Sequence, residues 1–213
     1  MPFTPPWSTE LTREHTALGI IDMQKFFTID KESPWAAPTV LSITPKITQL
    51  IKACTRGKTI FTLFKPPEDW QDEHGTWKNY YHHSIGVTAD KIDPTAYEII
   101  DTFKNDVMSP LTRLVDKQTA SAFYYTNFDD ILRARDTTFL ILSGIESDYC
   151  VLATALDAVS RGYSVVIPMD ACGSSKGATG QRNAEAIFER FGGQIWITDT
   201  ETVTTQLKNA RAD

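Results

Sequence analysis

A carboxylate, an ammonium and a thiol recur at similar places in this chain. Asp22 lies in GIIDMQKFF, Lys117 in RLVDKQTASAF and Cys150 in GIESDYCVLATAL, each beyond a short apolar run. A thiol becomes a strong nucleophile only as the thiolate, so it needs a group to take its proton. A carboxylate held in a dry pocket is such a base. A lysine ammonium beside the two stabilises the thiolate and keeps the carboxylate ionised. Cys150 also opens a stretch with helical spacing, Val151, Ala155, Leu156 and Val159. The first turn of a helix leaves amide donors unpaired and carries partial positive charge, which is expected to favour the thiolate.

These residues come together only if the elements around them form one sheet. Six apolar runs read as strands: Ala17–Ile21, Thr59–Phe64, Leu111–Val115, Thr138–Leu142, Ser164–Pro168 and Gln194–Ile197. Six stretches read as helices: Thr39–Thr55, Pro94–Phe103, Phe128–Arg135, Tyr149–Arg161, Gly180–Phe191 and Glu201–Ala210. Most of the strands are unbroken apolar runs, as expected when both faces are covered. Strand–helix alternation implies a parallel sheet with helices on both sides. In such a sheet ligands bind beyond the carboxyl ends of the strands, where Asp22, Lys117, Cys150 and also Asp116 and Asp170 fall. Residues 65–93, KPPEDWQDEHGTWKNYYHHSIGVTADKID, break the rhythm and are expected to form an inserted aromatic loop. A loop of that length in a compact domain is usually functional, and its four large aromatics argue against disorder.

The 213 residues suit a single domain, 1–213, with a short N-terminal extension over about 1–15. A net charge of −6 argues against a nucleic-acid surface. No apolar run approaches the ~18 residues that cross a bilayer, and the N-terminus lacks an apolar leader core. Three scattered cysteines do not make a disulfide framework, so a cytoplasmic, reduced protein with no membrane partner is expected.

The chain resembles the isochorismatase-like cysteine hydrolases, the superfamily that includes nicotinamidases, carbamoyl and ureido amidohydrolases, and isochorismatases. Three motifs carry the resemblance, in order: LGIIDMQKFF, VDKQTASAF and GIESDYCVLATALDAVSRGYSVVIPMDA. It spans Ala17 to about Gln206. The resemblance implies an α/β fold, a three-layer α/β/α sandwich around a six-stranded parallel sheet (Rossmann-like). It also implies a catalytic Asp-Lys-Cys triad at Asp22, Lys117 and Cys150. A non-proline cis peptide at Ile145–Glu146 would turn a backbone amide toward the substrate oxygen, making the amides of Glu146 and Cys150 the oxyanion hole. Nicotinamidases hold a divalent metal through an Asp-x-His pair after the second strand. Here Phe64 and Lys65 stand there, so no metal and no cofactor is expected, although His74, His82 and His83 lie in the insertion. Family members are commonly homodimers or homotetramers.

Two chemistries follow for a small-molecule substrate. One is hydrolysis of an amide or ureido C–N bond through a thioester on Cys150. The alternative is isochorismatase-type cleavage of a vinyl ether with Asp22 as acid and no covalent step. A non-enzymatic module that kept the fold is a third reading, which the intact set of three residues opposes. Phe27, Trp77, Tyr81 and Phe123 are expected to line the substrate pocket, with Tyr80 a further candidate. Asp148 is expected to cap the helix after it, and Cys54 and Cys172 to fill structure.

Overall fold

The computed structural model describes residues 12–28, 33, 35–37, 40–83 and 88–210. Seven strands form one parallel sheet: β1 (Thr16–Ile21), β2 (Thr59–Phe64), β3 (Arg113–Lys117), β4 (Phe139–Ile145), β5 (Ser164–Pro168), β6 (Cys172–Gly173) and β7 (Ile195–Thr198). Their order is β3-β2-β1-β4-β5-β7, and the two-residue β6 pairs with the end of β4.

Alternate residues of each central strand feed two separate apolar layers. Leu18, Ile20, Ile141 and Val166 pack with α2 (Val40–Ala53) and α8 (Thr200–Asn209). Ala17, Ile21, Leu140, Leu142, Val165 and Ile167 pack with α5 (Phe128–Arg133), α6 (Leu152–Ser160) and α7 (Ala178–Phe188). With both faces buried, every position of β1 and β4 is shielded from solvent, and this is why those strands read as continuous apolar runs. The architecture is the expected α/β/α sandwich. Among the described residues no helix is long and apolar enough to cross a membrane.

Three segments depart from the sequence reading. β3 starts and ends two residues later than expected. It lies at the sheet edge, where Leu111 and Leu114 are exposed, so apolarity there does not mark burial. Its register is set by pairing with β2, from Ile60 opposite Arg113 to Phe64 opposite Lys117. The helix expected over Pro94–Phe103 is instead two 3-10 turns, Pro94–Tyr97 and Asp101–Phe103, followed by the short α4 (Lys104–Val107). Between the turns, Ile99 bridges Gln24 and the Ile100 amide donates to Met23 (3.1 Å), which draws the backbone out of helix. The insertion is not all loop. It holds a 3-10 turn at Trp70–Asp72 and α3 (Gly75–His83). In α3, Trp77, Tyr80 and Tyr81 stand at i, i+3 and i+4, so their rings meet on one face at 5.2–6.1 Å.

One glycine fixes how closely the site can be assembled. Gly144 has φ +104°, and a Cβ there would lie 2.2 Å from the Ile21 carbonyl oxygen. Only glycine lets the end of β4 close on the end of β1. The Ile145–Glu146 peptide that follows is cis.

Candidate active site

The strand order reverses between β1 and β4, so the connections leaving these two neighbours run to opposite faces and open a crevice at their carboxyl ends. Asp22 leaves β1, and Cys150 follows β4. Lys117 ends β3 two strands away and reaches back beneath Phe64 of β2, with its Nζ 5.2 Å from that ring's centroid.

The three side chains meet. Lys117 Nζ is 2.6 Å from Asp22 Oδ2 and donates to Cys150 Sγ at 3.4 Å and to the Thr119 carbonyl at 2.9 Å. All three are almost fully buried. Thr62, in the middle of β2, donates to Asp22 Oδ1 (2.6 Å) and accepts from the Asp22 amide (3.1 Å). That double contact holds Asp22 at φ +51°, a left-handed conformation uncommon outside glycine. Gln24 braces the same corner: its side chain donates to the Phe64 and Tyr97 carbonyls and accepts from the Phe64 amide.

Cys150 does not open an ordinary helix. Ser147–Val151 form a single π-helical turn before α6, with the Tyr149 and Val151 amides both donating to the Glu146 carbonyl. Asp148 lies inside this turn. The cap position falls to Glu146, which makes no side-chain cap bond. The thiolate is also not the form that this burial favours. Burial pushes the Cys150 thiol up to about 12; Lys117 pulls it down, and Asp22 pushes it up again. Burial opposes the charge of Lys117 as well, yet Asp22 and Cys150 together hold its pKa above the usual lysine value. Burial thus favours the thiol over the thiolate beside the Lys117–Asp22 ion pair.

The group borders a cavity of about 300 Å³. Its polar lining is Asp22, Glu146, Cys150, Ser175 and Lys176; the rest is largely aromatic. Phe27, Trp35 and Tyr80 make a stacked series, with ring planes at 13° and 21°. Phe64, Trp77 and the half-exposed Tyr149 extend that surface. Such a lining suits a small, flat substrate.

Of the aromatic residues expected in the pocket, Phe27 and Trp77 line it. Tyr81 and Phe123 do not. Tyr81 is fully buried and its hydroxyl donates to the Gln118 carbonyl (2.8 Å), which ties α3 to the segment just after Lys117. Phe123 packs on the other side, edge-on to Phe128, stacked on Tyr163 and beneath the Arg161 guanidinium. Tyr80 and Tyr81 touch on one face of α3, but Tyr81 is the one turned fully inward, behind the ring that lines the cavity. Trp35, Tyr149, Ser175, Lys176 and Thr62 are absent from the sequence reading, and Phe64 enters it only as the end of a strand. Thr62 carries a signal, as a hydroxyl in the middle of TIFTLF, and Tyr149 adjoins Cys150. Trp35 carries none.

Asp170 binds the start of α8, accepting from the Thr200 amide and hydroxyl, and pairs with Lys46 at 3.1 Å. Asp116 pairs with Lys65 on the surface. His82 lies edge-on to Trp70, while His74 borders a separate hollow with Asp72, Glu73 and Asp116. Among the described residues no three His, Cys, Asp or Glu side chains converge as metal ligands do.

Residues 16–202 match the isochorismatase domain family model. Over 92% of this chain and 85% of the relative, the sequence is 25% identical to a ureidoacrylate amidohydrolase, RutB, from Acinetobacter baylyi. A cysteine hydrolase from Pseudomonas syringae superposes with a TM-score of 0.80 at 24% identity, covering 94% of this chain and 96% of that one. An N-carbamoylsarcosine amidase from Thermoplasma acidophilum gives 0.68 at 23% identity, covering 87% and 96%.

Proposed function

The chain belongs to the isochorismatase domain family and is a hydrolase of that family, and we propose that it cleaves the C–N bond of a small amide or ureido compound through a thioester on Cys150. The observation that carries this reading is the buried contact of Cys150 Sγ with Lys117 Nζ (3.4 Å), itself 2.6 Å from Asp22, at the border of the aromatic cavity. The similarity to a ureidoacrylate amidohydrolase supports the choice of a C–N bond. An ether-cleaving enzyme would have no use for a thiol held in this way.

Asp22 accepts the Cys150 proton as sulfur attacks the carbonyl carbon. The C–S bond forms and the carbonyl electron pair moves onto oxygen, where the Glu146 and Cys150 amides receive it. Each such donor contributes about 3 kcal/mol in comparable sites. The tetrahedral adduct collapses, and the C–N bond breaks as Asp22 returns the proton to the leaving nitrogen. Water then enters. Asp22 takes one of its protons, the water oxygen attacks the thioester, and sulfur leaves with the proton from Asp22. A carboxylic acid, or from a ureido carbonyl a carbamic acid, is released. Lys117 keeps its charge throughout and offsets the negative charge that moves between Asp22, sulfur and back.

The test is ammonia release across a panel of small amides and ureido acids, by the wild type and by Cys150→Ala. Turnover is expected from the wild type and should fall by about 10⁴-fold or more in the variant. A Cys150→Ala protein that works at the wild-type rate, or one that cleaves vinyl ethers but no amide, ends the proposal.

A further inference from the structure

Glu146 contributes more to the cavity than its backbone. The residue lines the same space as Cys150, and its Oε2 accepts from the Ser175 hydroxyl at 2.8 Å. Ser175 also lines the cavity, and the Glu146 charge acts on the lining residues Tyr80 and Tyr149, so a fixed acceptor group belongs to this wall. A carboxyl held this way is an acceptor, and an acceptor in a cavity otherwise walled by aromatic rings selects for a donor. The residue stands four positions before the nucleophile, across one tight π-helical turn.

We propose that the Glu146 carboxylate is the specificity-determining acceptor for an N–H on the nitrogen attached to the scissile carbonyl. The site would then take primary and secondary amides and ureides, and reject esters, tertiary amides and carboxylates at that position. This deepens the amidohydrolase reading and rests on it. It names what distinguishes substrate from product: the product carboxylate would face the like charge of Glu146, which favours its release. Burial pushes the Glu146 carboxyl up, with the Ser175 hydrogen bond acting against that shift. The exposed Lys176 and the buried Lys117 are the cationic neighbours on the cavity lining or beside it.

Binding can be read without turnover. In a Cys150→Ala background, quenching of the cavity tryptophans would report the affinities of benzamide, acetophenone and benzoate, which share a shape but differ as donor, apolar group and anion. The ratio of benzamide to acetophenone affinity should fall by about tenfold when Glu146→Ala is added. Glu146→Gln keeps the shape and an oxygen acceptor. It should retain the benzamide preference while gaining about tenfold in benzoate affinity, because a like charge has gone. A ratio unmoved by Glu146→Ala, or a benzoate affinity unmoved by Glu146→Gln, overturns the proposal, as does a Cys150→Ala protein that binds none of the three. Failure of amide turnover by the wild type would strike the hydrolase reading and leave these binding ratios standing.

Discussion

Asp22 and Cys150 in the cavity wall, and Lys117 behind them, come from the ends of three strands, whereas the aromatic lining comes mostly from segments between strands. The first part sits over fully buried β1 and β4, whose side chains interlock with helices on both faces. The second includes Trp35, between α1 (Lys25–Thr28) and α2, and Trp77 and Tyr80 on α3, none of them fully buried. A sheet end can hold Asp22 and Cys150 in place because the positions of β1 and β4 around them are packed, and the buried Lys117 reaches them from the edge strand. A connecting segment can change its rings without disturbing that packing. Under the proposed function the two parts divide the work: the sheet sets which chemistry is possible, and the connections set which molecule reaches it.

That division can be broken in three ways. The largest effect should come from Lys117→Met. It leaves Asp22 as an unpaired buried carboxylate, so a loss of about 3–5 kcal/mol in stability is expected. Turnover should vanish with it. Denaturant unfolding and ammonia release check both, and a stable, active Lys117→Met protein would show that the ion pair belongs to neither chemistry nor fold. Next in size, Trp77→Ala should raise KM by about tenfold through lost ring contact, with kcat and melting temperature little changed. A fall in kcat alone would mean that the aromatic lining shapes the reacting groups as well. The smallest effect on turnover should come from Thr62→Val, which removes both hydrogen bonds between that side chain and Asp22, the one to the carboxylate contributing about 1.5–3 kcal/mol in place. Part of that should appear as a lower kcat with unchanged KM, measured on the best substrate of the panel. A change in KM alone would move Thr62 from the proton-transfer apparatus to the binding surface.

The same division explains what could be read in advance. Strand–helix alternation and the unbroken apolar character of β1, β2, β4 and β5 were enough to expect a parallel sheet with two covered faces. β3 was misplaced by two residues because its leucines are exposed at an edge, where apolar pattern and burial part company. α3 was missed because its polar residues and glycine masked the spacing of Trp77, Tyr80 and Tyr81. Phe123 was assigned to the pocket because it follows Lys117 in sequence, yet the chain turns after Thr119 and carries it into the layer with Phe128.

The amino-acid sequence by itself determined which three polar side chains gather at the candidate site. Asp22, Lys117 and Cys150 each follow an apolar run, and strand ends in a parallel sheet point one way, so their meeting is a consequence of topology. Tertiary structure alone decided the rest. It set the direction in which the Cys150 thiol is shifted, where burial outweighs the lysine that would have favoured the thiolate. It chose Phe27, Trp35 and Tyr80 over Tyr81 and Phe123 for the cavity. Desolvation and ring placement depend on what is packed around a group from distant parts of the chain, and no local spacing encodes that.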